Sequence, residues 1–306
     1  MNGLKKILAI ALCAIPCLTF AGEFTLSAKS QLRVDDRSSK DLRAQYRLRT
    51  YANYQLDDKP WSLHLFAATG KDFASSHNTL NAGINDYFYL RRLYLRRDNS
   101  QGGKTELGII PTYKGRVSST GLSKDGWIKG LRHVQQINAD IKAELVIGEL
   151  ANTDPSKIFD AIHGVDYVEM ELSATIDQHS SFEFSLERMT ARNFARAEYR
   201  YALLPDTNIA FELIHRLDSG KVKTVVGLEG EFDLLSQALA YFVYHSYVSP
   251  QFGLRAELTE DFITTGHGIS SEIKGDFGKS NWGWFARFDA YQSNTRLLAG
   301  VSVSLQ

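Results

Sequence analysis

An all-β chain folded as an antiparallel up-and-down barrel that crosses a membrane is what this sequence predicts, and three observations predict it. The first is residues 42–56, where Leu42, Ala44, Tyr46, Leu48, Thr50, Ala52, Tyr54 and Leu56 alternate with Arg43, Gln45, Arg47, Arg49, Tyr51, Asn53 and Gln55. Successive side chains on a strand point to opposite faces, so one face is greasy and the other holds three arginines. The stretch is about three times as long as the usual strand, as a lipid-facing barrel requires. The second observation is that such alternation recurs along the chain, while no 3.6-residue period runs for a useful length. The third is an export signal at the amino terminus.

That signal consists of Lys5 and Lys6, an apolar run from Ile7 to Phe20, and the small residues of Thr19-Phe20-Ala21. Cleavage is expected after Ala21, making 1–21 a signal peptide and 22–306 the barrel. The run is too short for a spanning helix, which needs roughly 20 residues. Cys13 and Cys17, the two cysteines of the chain, both lie inside it, preceded by Leu12 and Pro16 rather than by the small residue of a lipidation site. The exported chain then has no disulfide or thiolate chemistry.

The first strand reads from Phe24, Leu26, Ala28, Leu32 and Val34 against Glu23, Thr25, Ser27, Lys29, Gln31 and Arg33. After the turn Asp57-Asp58-Lys59-Pro60, Trp61, Leu63, Leu65 and Ala67 alternate with Ser62, His64 and Phe66. Residues 87–97 are strand-like but carry their arginines as neighbours, Arg91-Arg92 and Arg96-Arg97. One of each pair is expected to face inward and the other to sit near a membrane edge. Further strands read at 104–113, 127–138, 141–150, 165–176, 181–187, 194–203, 208–216, 222–232, 237–247, 251–260, 267–277, 282–291 and 296–305. A bacterial single-chain barrel with both ends in the periplasm needs an even strand number, and these candidates are odd in number. Either 251–260 belongs to a loop or 181–203 is one strand, so about 16 strands are expected, with 14 as the alternative. Longer breaks at 71–85, 114–126 and 151–163 alternate with short ones, as external loops alternate with periplasmic turns. Trp61, Tyr87, Tyr89, Trp127, Tyr241, Tyr247, Trp282 and Trp284 fall near strand ends and are candidates for the interfacial girdle.

Overall charge balances, yet its halves are opposed. Residues 22–135 carry 19 Lys and Arg against 11 Asp and Glu, and residues 136–306 carry 14 against 24. Consecutive strands of a barrel are neighbours, so one wall of the lumen should be basic and the other acidic. The basic wall is assigned Lys29, Arg33, Arg43, Arg47 and Arg49, one arginine of each adjacent pair, taken as Arg92 and Arg96, and Arg132, and the acidic wall Glu144, Glu169, Glu171, Glu183, Glu187, Glu212, Glu229 and Glu231. Charge ladders of this kind select permeating ions, although they can equally neutralise one another in a plugged lumen.

These features resemble the porins and related outer-membrane channels of Gram-negative bacteria. Gly300, Val303 and Leu305 are similar to the terminal assembly signal of such barrels, except that the chain ends in Leu305-Gln306 instead of phenylalanine. The resemblance implies a lipid bilayer with lipopolysaccharide, a barrel assembly machinery and, as an open option, a homo-oligomer. In porins the third external loop folds into the pore; residues 114–126 hold that place, with Lys114, Arg116 and Lys124 against Asp125. A basic constriction favours small anions, and the arginine strands are loosely similar to channels for acidic sugars.

His179-Ser180 and His245-Ser246 are bare dipeptides without the surroundings of a barrel lipase, and Asp160, His163 and Asp166 are the nearest approach to a barrel protease. No two histidines share a strand at metal-ligand spacing, so no metal or cofactor is expected. The basic half alternates too strictly for a nucleic-acid arm. A passive channel is therefore the first reading, with a barrel enzyme or a non-conducting scaffold or adhesin as alternatives.

Overall fold

The computed structural model describes residues 22–305 except 58, 81–86, 101, 113–121, 259–264 and 293. The strands are β1 (Gly22–Arg37), β2 (Lys40–Leu56), β3 (Trp61–Thr69), β4 (Asn78–Thr79), β5 (Phe88–Asp98), β6 (Lys104–Pro111), β7 (Trp127–Gln136), β8 (Ile141–Glu149) and β9 (Tyr167–Thr175). They continue as β10 (Ser180–Met189), β11 (Arg192–Leu204), β12 (Thr207–Arg216), β13 (Lys221–Leu234), β14 (Gln237–Val248), β15 (Gly266–Asp276), β16 (Trp282–Tyr291) and β17 (Asn294–Leu305). Every pairing is antiparallel, and β1 pairs with both β2 and β17, which closes the sheet. The two-residue β4 is not a stave. It belongs to the β3–β5 connection and pairs with Gln45 and Tyr46, where β2 extends beyond the shorter β3. Sixteen strands make the barrel, as expected.

Residues 251–260 account for the odd candidate. They lie in the β14–β15 connection, which holds a single helical turn, α1 (Leu254–Glu257), whereas 180–204 forms two strands joined at Thr190. All short turns other than 38–39, 190–191, 217–220 and 292–293 gather at one end with both chain termini. The strand ends joined by the long connections, after β3, β6, β8 and β14, lie at the other.

The alternation sets the two faces of the wall. Phe24, Leu26, Leu32 and Val34 of β1, Met170 and Leu172 of β9, and Leu297 and Leu305 of β17 all stand exposed on the outside. A continuous apolar exterior of this extent is stable only against another apolar medium. Inside, the long connections bring their own greasy residues: Phe73, Leu122, Phe252, Ala256 and Leu258 pack with Ile110, Trp127, Ile128, Tyr167, Met189, Phe194 and Ile214. Each such large side chain withdrawn from water contributes about 1.5–3 kcal/mol, which is what keeps these loops folded in. Trp127 is thereby corrected from girdle to core, at 1% exposure, because Phe73 of the β3–β5 connection packs against it with the rings tilted and their centroids 4.8 Å apart. Trp61 and Trp282 do stand exposed near strand ends, Trp61 with the Arg97 guanidinium 5.7 Å above its ring.

Candidate functional site

Between the wall and the folded-in loops lies a cavity of about 1090 Å³. Its lining comes from β1, β2 and β13–β17, together with Ala74, Ser75, His77, Lys124 and Asp125 of the loops. Nine Lys and Arg side chains line it against four Asp and Glu, so its field is positive.

The basic ladder follows from register. Lys29 lies opposite Arg49, Gln31 opposite Arg47, Arg33 opposite Gln45 and Asp35 opposite Arg43, all on the inward face of the β1–β2 pair. Two fully buried carboxylates space the arginines on the half of the ladder nearer the long loops. Asp35 accepts from Arg37 at 2.8 Å and Arg43 at 2.5 Å, and Asp289 accepts from Arg287 at 3.0 Å and Arg296 at 2.9 Å. Buried carboxylates are tolerated only when so paired, and here each orders two guanidinium groups that would otherwise repel.

The described part of the third external loop leans on this ladder through an acid. Asp125 meets Arg49 at 2.7 Å, and Lys124 reaches the cavity beside it. Burial would push the Asp125 carboxyl up, but Arg49 and Arg47 hold it at about 2. Two further arginines fix the loop by its backbone: Arg92 Nε donates to the Gly126 carbonyl at 2.9 Å and its Nη2 to that of Lys124, while Arg91 donates to the carbonyls of Asp125, Thr69, Gly70 and Ser75. His77 in the neighbouring connection faces Gln31 at 2.9 Å. Its ionisation is pushed well below the usual imidazole range by burial and by Arg33, Arg47, Arg49 and Arg296.

The expectation that one arginine of each adjacent pair faces outward fails at Arg91-Arg92. Phe66 pairs with Arg92 and Ala67 with Leu90, so Arg91 is the extra residue of a β-bulge, and both side chains turn inward and are buried. Arg96-Arg97 lies on regular strand and alternates: Arg96 pairs with Asp98 at 2.6 Å, and Arg97 lies over Trp61.

The rest of the lumen is filled by paired charge. Arg196 is surrounded by Glu171, Glu183, Glu198 and Glu212, and Arg200 bridges Glu198 to Glu229. Arg132 joins Glu106 and Glu144. Arg255 on α1 enters from the β14–β15 connection to meet Glu187 at 2.7 Å, and Ser123 N donates to the Leu258 carbonyl, tying the two folded-in loops together. Tyr167 donates to Glu169.

Arg33, Arg47, Arg49 and Lys124 thus line the cavity, and Arg43 stands beside it on Asp35. Arg92 serves as a loop clamp. Glu169, Glu171 and Glu183 do not form an open acidic wall, because Tyr167 and Arg196 occupy them, and Lys114 and Arg116 lie outside the described residues. The sequence reading missed Arg37, Lys274, Arg287 and Arg296 as lining residues. Three of these lie in the acidic half of the chain, and only closure of β17 on β1 carries the basic wall past the chain ends. The signal was present in the inward phase of strands 282–291 and 296–305.

The enzyme candidates do not converge. Asp166 accepts from the Leu150 and Ala151 amides, His163 faces Glu149 at 3.5 Å, and the Asp160 carbonyl accepts from Lys129. His179 approaches Gln178, and His245 approaches His267 of the next strand at 3.3 Å. A Ser-His-Asn chain that the reading did not single out does form: Ser62 Oγ lies 2.8 Å from His64 Nε2, and His64 Nδ1 lies 2.7 Å from Asn53 Oδ1. Its order is that of nucleophile, base and orienter. Ser62 is 4% exposed and lines none of the cavities described, so the chain works as a buried polar link between β2 and β3.

Neither a protein-family model nor a curated protein sequence matches this chain. Solved structures do match in shape. A triple mutant of the Rhodopseudomonas blastica porin superposes with a TM-score of 0.64 at 8% identity, over 92% of this chain and 100% of that one. The high-pH structure of Pseudomonas putida OprB superposes with a TM-score of 0.62 at 10% identity, over 99% and 96%. The fold is that of the porins.

Proposed function

We propose that the protein is a passive outer-membrane channel that favours small anions. The observation that carries this is the cavity itself, where Lys and Arg outnumber Asp and Glu nine to four on a closed barrel with an apolar exterior. Arg33 and Arg47 supply the selecting charge, fixed cations on the cavity lining whose donors can replace part of an anion's hydration shell. The Asp125–Arg49 contact holds the third external loop against this ladder and makes it the constriction. Residues 1–21 act as the cleaved signal that takes the chain across the inner membrane, after which the assembly machinery inserts the barrel into a Gram-negative outer membrane facing lipopolysaccharide. Assembly as a homo-oligomer is compatible with this reading.

The non-conducting scaffold remains the second reading because half of the lumen is salt-bridged shut. Reversal potential across a planar bilayer under a salt gradient separates the two. A chloride-side potential that moves toward zero in the Arg33→Gln, Arg47→Gln double variant supports the channel. A correctly folded barrel that carries no current sinks it.

A further inference from the structure

We infer that the cavity wall at β14–β17 holds a subsite for aromatic carboxylates with Phe285 as its platform. This rests on the channel reading and names the solute class the same cavity prefers. Register places Ala240, Lys274, Phe285, Gly300 and Arg33 in one inward row across five strands. The adjoining row runs Phe242, Glu272, Arg287 and Leu298. Both rows present one aromatic ring, and only one ring is open. Phe242 carries Tyr244 stacked at 4.8 Å and the Arg287 guanidinium at 5.5 Å. Phe285 lines the cavity, and among the described residues no ring or guanidinium stacks on it.

Gly300 explains why that ring lies along the wall. A Cβ at 300 would come within 2.8 Å of Phe285 Cε1 and 2.3 Å of the Leu32 carbonyl oxygen. With no side chain there, the ring edge lies over the β17 backbone and spans toward Arg33. Phe285 is therefore a flat surface with a cation in register on each side, Lys274 and Arg33. A planar ring stacks on such a surface, and a carboxylate on that ring meets one of the two cations. A hexuronate would bring the same charge, but on the β17 side its hydroxyls would meet Gly300 opposite the ring and Leu298 diagonal to it, with Ser302 the one hydroxyl there, while on the β15 side Glu272 and Asp276 already flank Lys274. An aromatic acid fits these neighbours better.

The test uses the full-length barrel in a planar bilayer and titrates benzoate, cyclohexanecarboxylate and glucuronate as blockers of chloride current. Benzoate should block more tightly than either of the others by a factor of about two to ten, the range set by a single aromatic stack. Phe285→Leu should remove that difference and leave the chloride-to-potassium permeability ratio unchanged. Equal block by all three acids, or a preference that survives Phe285→Leu, overturns the subsite while leaving the channel standing. If the folded barrel carries no current, the channel reading fails, and calorimetric titration of the detergent-solubilised barrel with the same acids decides the subsite: preferential benzoate binding supports it, and its absence overturns it.

Discussion

The two sides of the lumen are built from the same residue types and reach opposite results. On the side of β6–β12 single arginines gather several carboxylates: Arg196 has four and Arg132 has two. On the side of β1, β2, β16 and β17 the ratio is inverted, with Asp35 and Asp289 each shared by two arginines. Surplus acid around one buried cation closes space, because every carboxylate must approach it to be satisfied. Surplus arginine around one buried acid leaves cations on the cavity lining, where Arg37, Arg287 and Arg296 stand. Charge therefore holds the wall together on one side and is left facing the cavity on the other.

The largest effect that would break this contrast is Arg196→Ala. It removes the cation shared by four buried carboxylates, of which Glu198 keeps Arg200, and loss of a buried partner costs about 3–5 kcal/mol. Denaturant titration followed by tryptophan fluorescence should show a lower midpoint or a barrel that does not assemble; an unchanged midpoint would mean that water already reaches the cluster. Next comes the Arg33→Gln, Arg47→Gln double variant, which should change stability by less than about 1 kcal/mol yet move the chloride-to-potassium permeability ratio toward unity. Should it unfold the barrel instead, the open side is structural like the filled one.

Asp125→Asn comes third. With the carboxyl at about 2 against an ordinary 3.8, the Asp125–Arg49 contact is fully present above the ordinary value and lost as pH falls through the lower one. Single-channel current should be steady from pH 8 to pH 4 and become noisier only near pH 2, and the variant should show that noise at pH 7. Arg91 and Arg92 still clamp the loop backbone, so closure rather than folding should change. The smallest effect belongs to His77. Its neutral form is favoured in the folded state, so its share of stability is flat above the ordinary 6.5 and declines as pH falls below it. Its imidazole signals in an NMR titration should not move between pH 8 and pH 6.5, and movement there would mean that the surrounding arginines are better screened than their burial implies.

Alternation alone specified a great deal. Residues 42–56 already showed a lipid face and a charged face, and Arg33, Arg47 and Arg49 stand in the cavity because period two admits no other phase. The strand number followed once parity was applied, and 251–260 was correctly marked as one of two segments that had to give way. Three things were not legible. Arg91 faces inward through a bulge, which is a mismatch of pairing between β3 and β5 and leaves no mark in either strand's own pattern. Trp127 sits in a core supplied by loops from remote parts of the chain. The summed charge of the halves pointed to an acidic wall at Glu169, Glu171 and Glu183 because net charge takes no account of Arg196 and Arg255 standing among those acids.

By itself, then, the sequence determined the barrel, its inward phase and the arginine ladder of its first two strands, since strand geometry is local and repeats every two residues. Tertiary structure decided which charges remain facing the cavity. That depends on which strands the closure brings side by side and on which loops fold inward, and both are set by contacts between residues far apart in the chain.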